Sequence, residues 1–259
     1  MDETELATAG LRYSLEGSVA TVTLARSEAR NAQTPAMWRA LATIGARIPD
    51  EVRVVVVRGE GHSFSAGLDR RMLTPAGAEG EESVTELMAM DAAAFAARVD
   101  EYQQGFTWLR DPRFVSVAAV QGYAIGAGFQ LALSCDLRVL ADDAQLAMLE
   151  TALGLVPDLT GTKPLVESVG YARALEICVT GRMVGATEAA EIGLAAAVVP
   201  VGELDNTVTS LTHALLAAPA GAVRDTKALL LGAVDRSLDE QRLAERAAQY
   251  GRFQELAGR

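Results

Sequence analysis

The sequence predicts an α/β fold that ends in an α-helical C-terminal portion. Runs of β-branched residues alternate with segments of helical spacing through about residue 200, which is the pattern of α/β proteins. From Leu204 onward, apolar residues recur at helical spacing to the end of the chain. The length of 259 residues is sufficient for a substantial core, and 50% of the residues are hydrophobic, as in ordinary globular proteins.

The N-terminal part begins with a predicted β-hairpin and a helix. Leu11–Glu16 and Val19–Leu24 alternate apolar and polar residues around a Glu-Gly-Ser turn, which predicts the hairpin. Thr34 and Pro35 are typical of an N-cap and a first helical residue. They predict a helix that runs to about Arg47.

Two strands in the middle of the chain are predicted to be buried on both faces. Val52–Val57 and Val115–Val120 are almost entirely apolar, as strands of a covered parallel sheet are. Between them, Asp91–Leu109 has helical spacing, and Asp111-Pro112 ends that helix because proline disfavours a helical residue before it. The remaining elements follow in order: a helix from about Ala127, strands at Leu137–Ala141, Gln145–Met148 and Ala196–Val199, short helices between Thr162 and Gly193, and helices from Leu204 interrupted at Pro219–Gly221.

Composition restricts the partners and the compartment. The formal net charge of −11 disfavours binding to nucleic acid or to an anionic membrane. The two cysteines, Cys135 and Cys178, lack a metal-type spacing and indicate a reducing compartment. The first residues are acidic without the apolar segment of a signal peptide, and no apolar run approaches the ~20 residues of a spanning helix. We therefore expect a cytoplasmic protein without membrane insertion.

Several common catalytic motifs are missing or incomplete. A dinucleotide fingerprint starting at Gly126 would need a third glycine where Leu131 stands. A nucleophile elbow at Gly61–Ser65 lacks its last glycine, and the sequence has no P-loop pattern. His62 and His213 are the only histidines, so a Cys/His metal site is not supported.

Two loops of small residues follow the two buried strands. One is Phe64–Asp69, after Val52–Val57, and the other is Gly122–Gly128, after Val115–Val120. Small residues let a ligand approach the backbone closely, and the helix that starts near Ala127 offers unsatisfied N–H groups. This arrangement is suited to an anion or a developing oxyanion. Glycines that only permit tight turns and close helix packing are the alternative interpretation.

These loops and three further segments resemble the crotonase superfamily, the enoyl-CoA hydratase/isomerase family. The resemblance extends over almost the whole chain, and several motifs occur in the family's order, which makes it specific. The matching segments are Ala25–Ala32, Phe64–Asp69, Gln121–Asp136, Glu150–Pro157 and Ala186–Leu194 with Val198–Val199.

The resemblance implies a crotonase-type spiral of ββα turns in residues 1–200 and a helical trimerisation region in residues 201–259. The protein would be a homotrimer or a hexamer made of two trimers. Its ligand would be an acyl-CoA thioester, and no separate cofactor is implied because coenzyme A is part of the substrate. Backbone N–H groups of Leu68 and Ala127 would hold the thioester oxygen. Ala66 and Asp69 belong to the same substrate-binding loop, which reads AGLD here where the family usually has AGAD.

Three cations are candidate partners of the CoA phosphates. Arg26, Arg30 and Lys227 would supply the basic cluster that an acidic chain otherwise lacks. Each of them, taken singly, is equally compatible with ordinary surface charge.

The expected proton chemistry depends on Gln130, Glu150 and Asp158. Hydratases of the family use two glutamates, which match Gln130 and Glu150 here. An amide neither takes nor gives a proton, although Gln130 can still hydrogen-bond to water or substrate, and losing one acid–base group lowers a rate roughly 10²–10⁴-fold. The family's double-bond isomerases rely on a glutamate that matches Glu150, and its dienoyl-CoA isomerases add an aspartate at the spacing of Asp158. A helix cap near Thr160 is the alternative role for Asp158.

We therefore expect an enoyl-CoA isomerase in which Glu150 is the proton shuttle. A hydratase of weak or altered activity and a non-catalytic acyl-CoA-binding protein are the alternatives, since Gln130 replaces a carboxylate. Thioester hydrolysis or decarboxylation has no residue in its favour.

The sequence also contains candidates for an acyl pocket and a gate. The acidic segment Thr74–Glu82 is the candidate gate. The pocket candidates are apolar residues, although such residues at helical spacing are more often part of a core: Met72, Leu73, Met88, Phe106 and Trp108.

Overall fold

The computed structural model describes residues 2–74, 77 and 80–258, and nine strands and eleven α-helices lie within them. The strands are β1 (Leu11–Glu16), β2 (Val19–Leu24), β3 (Val54–Gly59), β4 (Val115–Val120), β5 (Tyr123–Ile125), β6 (Leu137–Ala141), β7 (Gln145–Ala147), β8 (Val184–Gly185) and β9 (Ala197–Val199). The helices are α1 (Glu3–Thr8), α2 (Pro35–Ala46), α3 (Val84–Met88), α4 (Ala92–Thr107), α5 (Ala127–Ser134), α6 (Thr162–Val169), α7 (Tyr171–Thr180), α8 (Ala186–Glu191), α9 (Leu204–Ala217), α10 (Ala220–Ala233) and α11 (Leu238–Leu256). The predicted α/β class with a helical C-terminal portion is confirmed.

Six strands form the main sheet in the order β1-β2-β3-β4-β6-β9. β1 and β2 are an antiparallel hairpin, and each following pair is parallel. A smaller sheet has the order β5-β7-β8. Because parallel strands end at the same edge of a sheet, the loops after β3 and β4 emerge side by side there.

The main sheet is covered on both faces. Val55 and Val57 of β3 belong to a core that includes side chains of α2 and α4, whereas Val54 and Val56 belong to a second core that includes α9. Successive side chains of a strand point to opposite faces. A strand covered on both sides is therefore apolar at nearly every position, which is why its sequence lacks alternation.

Helix α2 begins as its sequence predicts. Pro35 is its first residue, and the Thr34 hydroxyl accepts the Met37 N–H at 3.3 Å. The short helices α1 and α3 are not among the predicted elements, because five or six residues are too few for a helical period. Each starts with a capping box, and this is the sequence signal that could have identified it.

The three C-terminal helices differ in their packing. α9 lies against β4 and β6 of the main sheet, whereas α10 packs chiefly on α11. Large apolar side chains of α10 and α11 are exposed, among them Leu230, Leu238, Phe253 and Leu256. This pair of helices therefore presents an uncovered apolar surface.

The candidate gate Thr74–Glu82 lies partly outside the described residues, which omit positions 75, 76, 78 and 79.

Within the described part of the chain, no helix combines the length and apolar character needed to cross a membrane.

Candidate functional site

Two loops meet where β3 and β4 end. Ser65, in the loop after β3, donates its N–H to the Tyr123 carbonyl at 2.8 Å and accepts the Ile125 N–H at 3.0 Å. These bonds pair the first loop with the segment that leads into α5. The backbone therefore fixes the position of one loop relative to the other.

Gly67 allows the two loops to approach closely. Its φ is +83°, and a Cβ at this position would lie 2.4 Å from the Ile125 carbonyl oxygen and 3.5 Å from the Ala127 nitrogen. Only glycine adopts this conformation without strain and leaves the required space. The next residue, Leu68, consequently lines the same cavity as Ala127.

The N–H groups of Leu68 and Ala127 are free of protein acceptors in the part of the chain that the structure describes. Gln33 donates its N–H to the Gly67 carbonyl at 2.7 Å and accepts the Asp69 N–H at 2.8 Å, so the Leu68 N–H points to the opposite side. Ala127 is the first residue of α5, where an N–H has no acceptor within its helix. Among the described residues, neither N–H has a hydrogen-bond acceptor. The pair is suited to holding one developing oxyanion.

These donors face a cavity of about 580 Å³. Its polar side chains include Gln130, Glu150 and Asp158, and much of the remaining wall is apolar and aromatic. A cavity of this kind is typical of small-molecule sites. The apolar wall is formed largely by α2, α3, α4 and the segment after Glu150, with Pro35, Trp38, Met72, Leu87, Met88, Phe95, Tyr102, Leu155 and Val156.

Glu150 places its carboxylate beside the start of α5. The residue begins a 3-10 turn after β7, and a Cβ on Gly126, whose φ is +51°, would lie 3.2 Å from Glu150 Oε1. Oε2 is buried and has no hydrogen-bond partner in the part of the chain that the structure describes. The lone pairs of this oxygen are therefore unused by the protein.

Gln130 is fully engaged with the protein. Its Nε2 donates to Glu150 Oε1 at 2.7 Å, and its Oε1 accepts the N–H groups of Leu159 at 2.9 Å and Gly161 at 3.2 Å. The side chain is buried. Because an amide oxygen has two lone pairs, Oε1 has none left for a water molecule or substrate.

Burial raises the pKa of both carboxyl groups in the cavity. For Glu150, the residue's own backbone and the hydrogen bond from Gln130 oppose the rise, and the nearby charge of Asp158 adds to it. Burial likewise raises the pKa of Asp158. A carboxyl group whose pKa moves toward neutrality exchanges protons more readily at physiological pH.

Asp158 does not cap a helix. α6 begins at Thr162 after Gly161, and its N-cap makes no side-chain hydrogen bond within the described structure. The alternative role as an N-cap is therefore wrong, and both carboxyl groups line the cavity that contains Ala127.

A family model described as enoyl-CoA hydratase/isomerase matches residues 14–258. The chain belongs to the enoyl-CoA hydratase/isomerase family. The resemblance to the crotonase superfamily is thereby confirmed, and the fold agrees with that of the family's solved structures.

Other members of the family are similar over most of this chain. A protein of Thermobifida fusca YX, assigned as an enoyl-CoA hydratase and solved in complex with CoA, is 51% identical over 100% of this chain and 98% of its own, with a TM-score of 0.95. Its complex with acetoacetyl-CoA gives 52% identity over 98% of each chain and a TM-score of 0.94. A peroxisomal Delta(3,5)-Delta(2,4)-dienoyl-CoA isomerase of Arabidopsis thaliana is 29% identical over 73% of this chain and 68% of its own.

Two candidate phosphate partners lie near the first loop. Arg30 is exposed, and its guanidinium lies 5.9 Å from the centre of the Tyr123 ring. Arg26 is largely buried and donates to the Ala32 carbonyl at 2.6 Å and to Asp69 at 2.9 Å. Arg30 is therefore the more accessible of the two to a ligand.

The two other loop candidates contact protein groups. Hydrogen bonds from Arg71 and Arg26 hold the pKa of the Asp69 carboxyl group well below its usual range and outweigh the effect of burial. Ala66 donates its N–H to the Arg30 carbonyl at 2.8 Å. These contacts anchor the loop on both sides of Leu68.

Lys227 lies elsewhere in the molecule. In place of the expected phosphate contact, its ammonium donates to the carbonyls of Asp111 at 2.7 Å and Phe114 at 2.8 Å and to Asp136 Oδ2 at 2.7 Å. Three bonds use all three donors of an ammonium group, so none is free for a phosphate. The structure does not bring this residue to the cavity.

The acyl-pocket candidates separate into two groups. Met72 and Met88 line the cavity, whereas Leu73, Phe106 and Trp108 do not. The sequence prediction missed every lining residue of α2 and α4, because an apolar helix face has the same spacing whether it borders a core or a cavity. Across residues 2–74, 77 and 80–258, no group of three His, Cys, Asp or Glu could hold a metal ion.

Proposed function

We propose that this protein binds an enoyl-CoA thioester and moves its double bond, with Glu150 as the proton carrier. The observation that carries the proposal is the presence, in one cavity, of the free N–H groups of Leu68 and Ala127 and the unpartnered Oε2 of Glu150. Formation of an enolate requires both features, since a base must remove a proton while donors stabilise the oxygen.

The proposed reaction is a proton transfer in two steps. Glu150 takes a proton from C2 of a 3-enoyl-CoA, and the electron pair of that bond forms a dienolate. The N–H groups of Leu68 and Ala127 hold the dienolate oxygen, and each such donor contributes about 3–4 kcal/mol to lowering a barrier. Return of the proton to C4 gives the 2-enoyl-CoA and regenerates the carboxylate.

Asp158 supplies a second carboxylate for the same chemistry. It lines the cavity with Glu150, and its charge affects the pKa of that residue. In a dienoyl-CoA substrate, where the proton must move between more distant carbons, the two groups can divide removal and return. The Arabidopsis relative named as a dienoyl-CoA isomerase supports this variant of the proposal.

Hydration of a 2-enoyl-CoA is the second candidate. The relatives assigned as enoyl-CoA hydratases favour it, including one 51% identical to this chain. The engagement of Gln130 opposes it, because this amide cannot transfer a proton and its oxygen has no free lone pair to orient water. Hydration would then depend on Glu150 alone or with Asp158.

One assay separates these possibilities. Purified protein is incubated with 3-enoyl-CoA and with 2-enoyl-CoA, and wild type is compared with Glu150→Gln and with Glu16→Gln, a control in the exposed hairpin. Isomerisation predicts that only wild type and the control convert 3-enoyl-CoA, with a loss of roughly 10²–10⁴-fold in Glu150→Gln. Unchanged 3-enoyl-CoA, or equal rates in Glu150→Gln, would refute the proposal. Water addition to 2-enoyl-CoA would instead support hydration, and tight binding without turnover would support a binding protein.

We also propose self-association through the uncovered apolar surface of α10 and α11. Leu230, Leu238 and Leu256 are each more than 60% exposed, at 66%, 76% and 84%. Burying such side chains stabilises an assembly by roughly 25 cal/mol per Å² of apolar surface. Analytical ultracentrifugation should give the mass of a trimer or hexamer, and a monomer at micromolar concentration would contradict this part.

A further inference from the structure

The two carboxylate oxygens of Glu150 have different surroundings. Oε1 accepts a hydrogen bond of 2.7 Å from Gln130 Nε2, whereas Oε2 is buried without a partner among the described residues. An oxygen that accepts a strong hydrogen bond is less basic toward a substrate proton than a free one. The asymmetry therefore distinguishes one oxygen of the carboxylate from the other.

The orientation of the Gln130 amide is fixed from the opposite side. Leu159 and Gly161 both direct their N–H groups to Oε1, so Nε2 must face Glu150. Thr160, between them, has a φ of +69°, an uncommon value for a β-branched residue. A Cβ on Gly161 would lie 2.5 Å from Gln130 Cγ, so the backbone also packs directly on this side chain. The amide can neither flip nor withdraw while this loop keeps its conformation.

We propose that Gln130 is a positioning residue for Glu150 and not a substrate-binding group. It holds Oε1 of Glu150 in place and leaves Oε2 as the oxygen that carries the proton. The inference rests on the proposed proton transfer by Glu150, which it extends by assigning the reacting oxygen and the group that orients it. It also explains how a chain with an amide at position 130 keeps the Glu150 carboxylate in one orientation.

Four groups near Glu150 affect the pKa of its carboxyl group. The Gln130 amide stabilises the charged form, the backbone of Glu150 itself also favours that form, and Asp158 and Cys178 lie close enough for electrostatic interaction. Loss of the Gln130 donor would stabilise the protonated form, which cannot act as a base. Activity would then be lost at a higher pH than in wild type as the solution is acidified.

The test uses three variants of the full-length protein. Gln130→Met removes the donor while keeping a side chain of similar length. Gln130→Glu keeps an oxygen to accept from the 159 and 161 N–H groups but places a second carboxylate against Glu150. Gln121→Met is the matched control, because Gln121 is also buried and donates to two backbone carbonyls, at 2.7 and 3.0 Å, outside the cavity.

The readout is the dependence of kcat/KM on pH with 3-enoyl-CoA. In Gln130→Met the acid limb should move to higher pH, so that below the wild-type midpoint the variant retains roughly a tenth of the wild-type value. Gln130→Glu should move it in the same direction, because two adjacent carboxylates cannot both ionise readily. Gln121→Met should reduce stability without moving the profile. Unmoved acid limbs in both Gln130 variants, or an equal shift in Gln121→Met, would overturn the proposal.

A second measurement does not depend on turnover. Carbon-13 NMR of labelled glutamate carboxyl groups, assigned with Glu150→Gln, follows the titration of Glu150 directly. If wild type is inactive but Glu150 titrates at higher pH in Gln130→Met, the positioning role holds and the proposed function fails. If wild type is active and the titration is unchanged, the function holds and the positioning role fails. Gln130→Glu decides the question if Gln130→Met does not fold.

Discussion

Replacing Gly67 with alanine tests whether the two loops form the oxyanion site. The added Cβ would lie 2.4 Å from the Ile125 carbonyl oxygen. The closest ordinary carbon–oxygen contacts are about 3.3 Å, so the loops must separate by roughly 0.9 Å. This movement acts on the peptides that carry the Leu68 and Ala127 N–H groups.

The expected effect on catalysis is large. Loss of one oxyanion donor lowers kcat about 10²–10³-fold, and a displacement of about 1 Å is sufficient to misplace a donor. Gly67→Ala should therefore lower kcat for 3-enoyl-CoA by this factor. Initial rates and thermal unfolding, measured on the same preparation, separate lost activity from lost structure.

Gly17→Ala is the control for the backbone strain of a positive φ. Gly17 lies in the turn between β1 and β2 with a φ of +58°, and a Cβ there would meet nothing within 4 Å. Alanine at a positive φ is strained in either variant, but only at Gly67 does the added Cβ also collide with the opposite loop. If folded Gly67→Ala retains kcat within a few-fold of Gly17→Ala, the placement of the oxyanion site is refuted.

Three further outcomes are expected. Because burial raises the pKa of Glu150, its ionisation opposes folding as the pH rises from the ordinary glutamate range through the folded-state pKa. Glu150→Gln should therefore raise Tm at pH 7, and scanning calorimetry should show this gain vanishing below about pH 4. Lys227→Met removes the cation from the largely buried Asp136 and should lower the free energy of unfolding by about 3–5 kcal/mol in a urea titration, with KM for acyl-CoA unchanged. A raised KM would instead support the phosphate contact expected from the sequence. Arg30→Ala should raise KM for the CoA thioester but not for a pantetheine thioester, and equal effects on both would exclude a phosphate contact.

The elements that could be predicted from the sequence have local causes. The β1–β2 hairpin follows from alternation around a turn, and α2 follows from Thr34 and Pro35. The site loops could be identified because small residues follow strands that are almost entirely apolar. Each of these signals lies within a few consecutive residues.

The environments of single polar groups could not be predicted in this way. The partners of Gln130 at positions 159 and 161 are 29 and 31 residues away, and Lys227 meets Asp136 across 91 residues. A lysine in a helical segment has the same sequence signature whether it is exposed or buried. Only the folded structure shows that the Lys227 ammonium donates all its hydrogen bonds to protein oxygens and that the Gln130 amide has a fixed orientation.

The loop around Leu68 separates chemistry from selectivity. The donor that we propose for the oxyanion is a backbone N–H fixed by pairing with Gln33, while the residue itself lines the cavity. Substitution at this position can therefore alter which acyl groups are accepted without removing the donor. A single substitution at position 68 can accordingly change the substrate range while the rate of the chemical step stays the same.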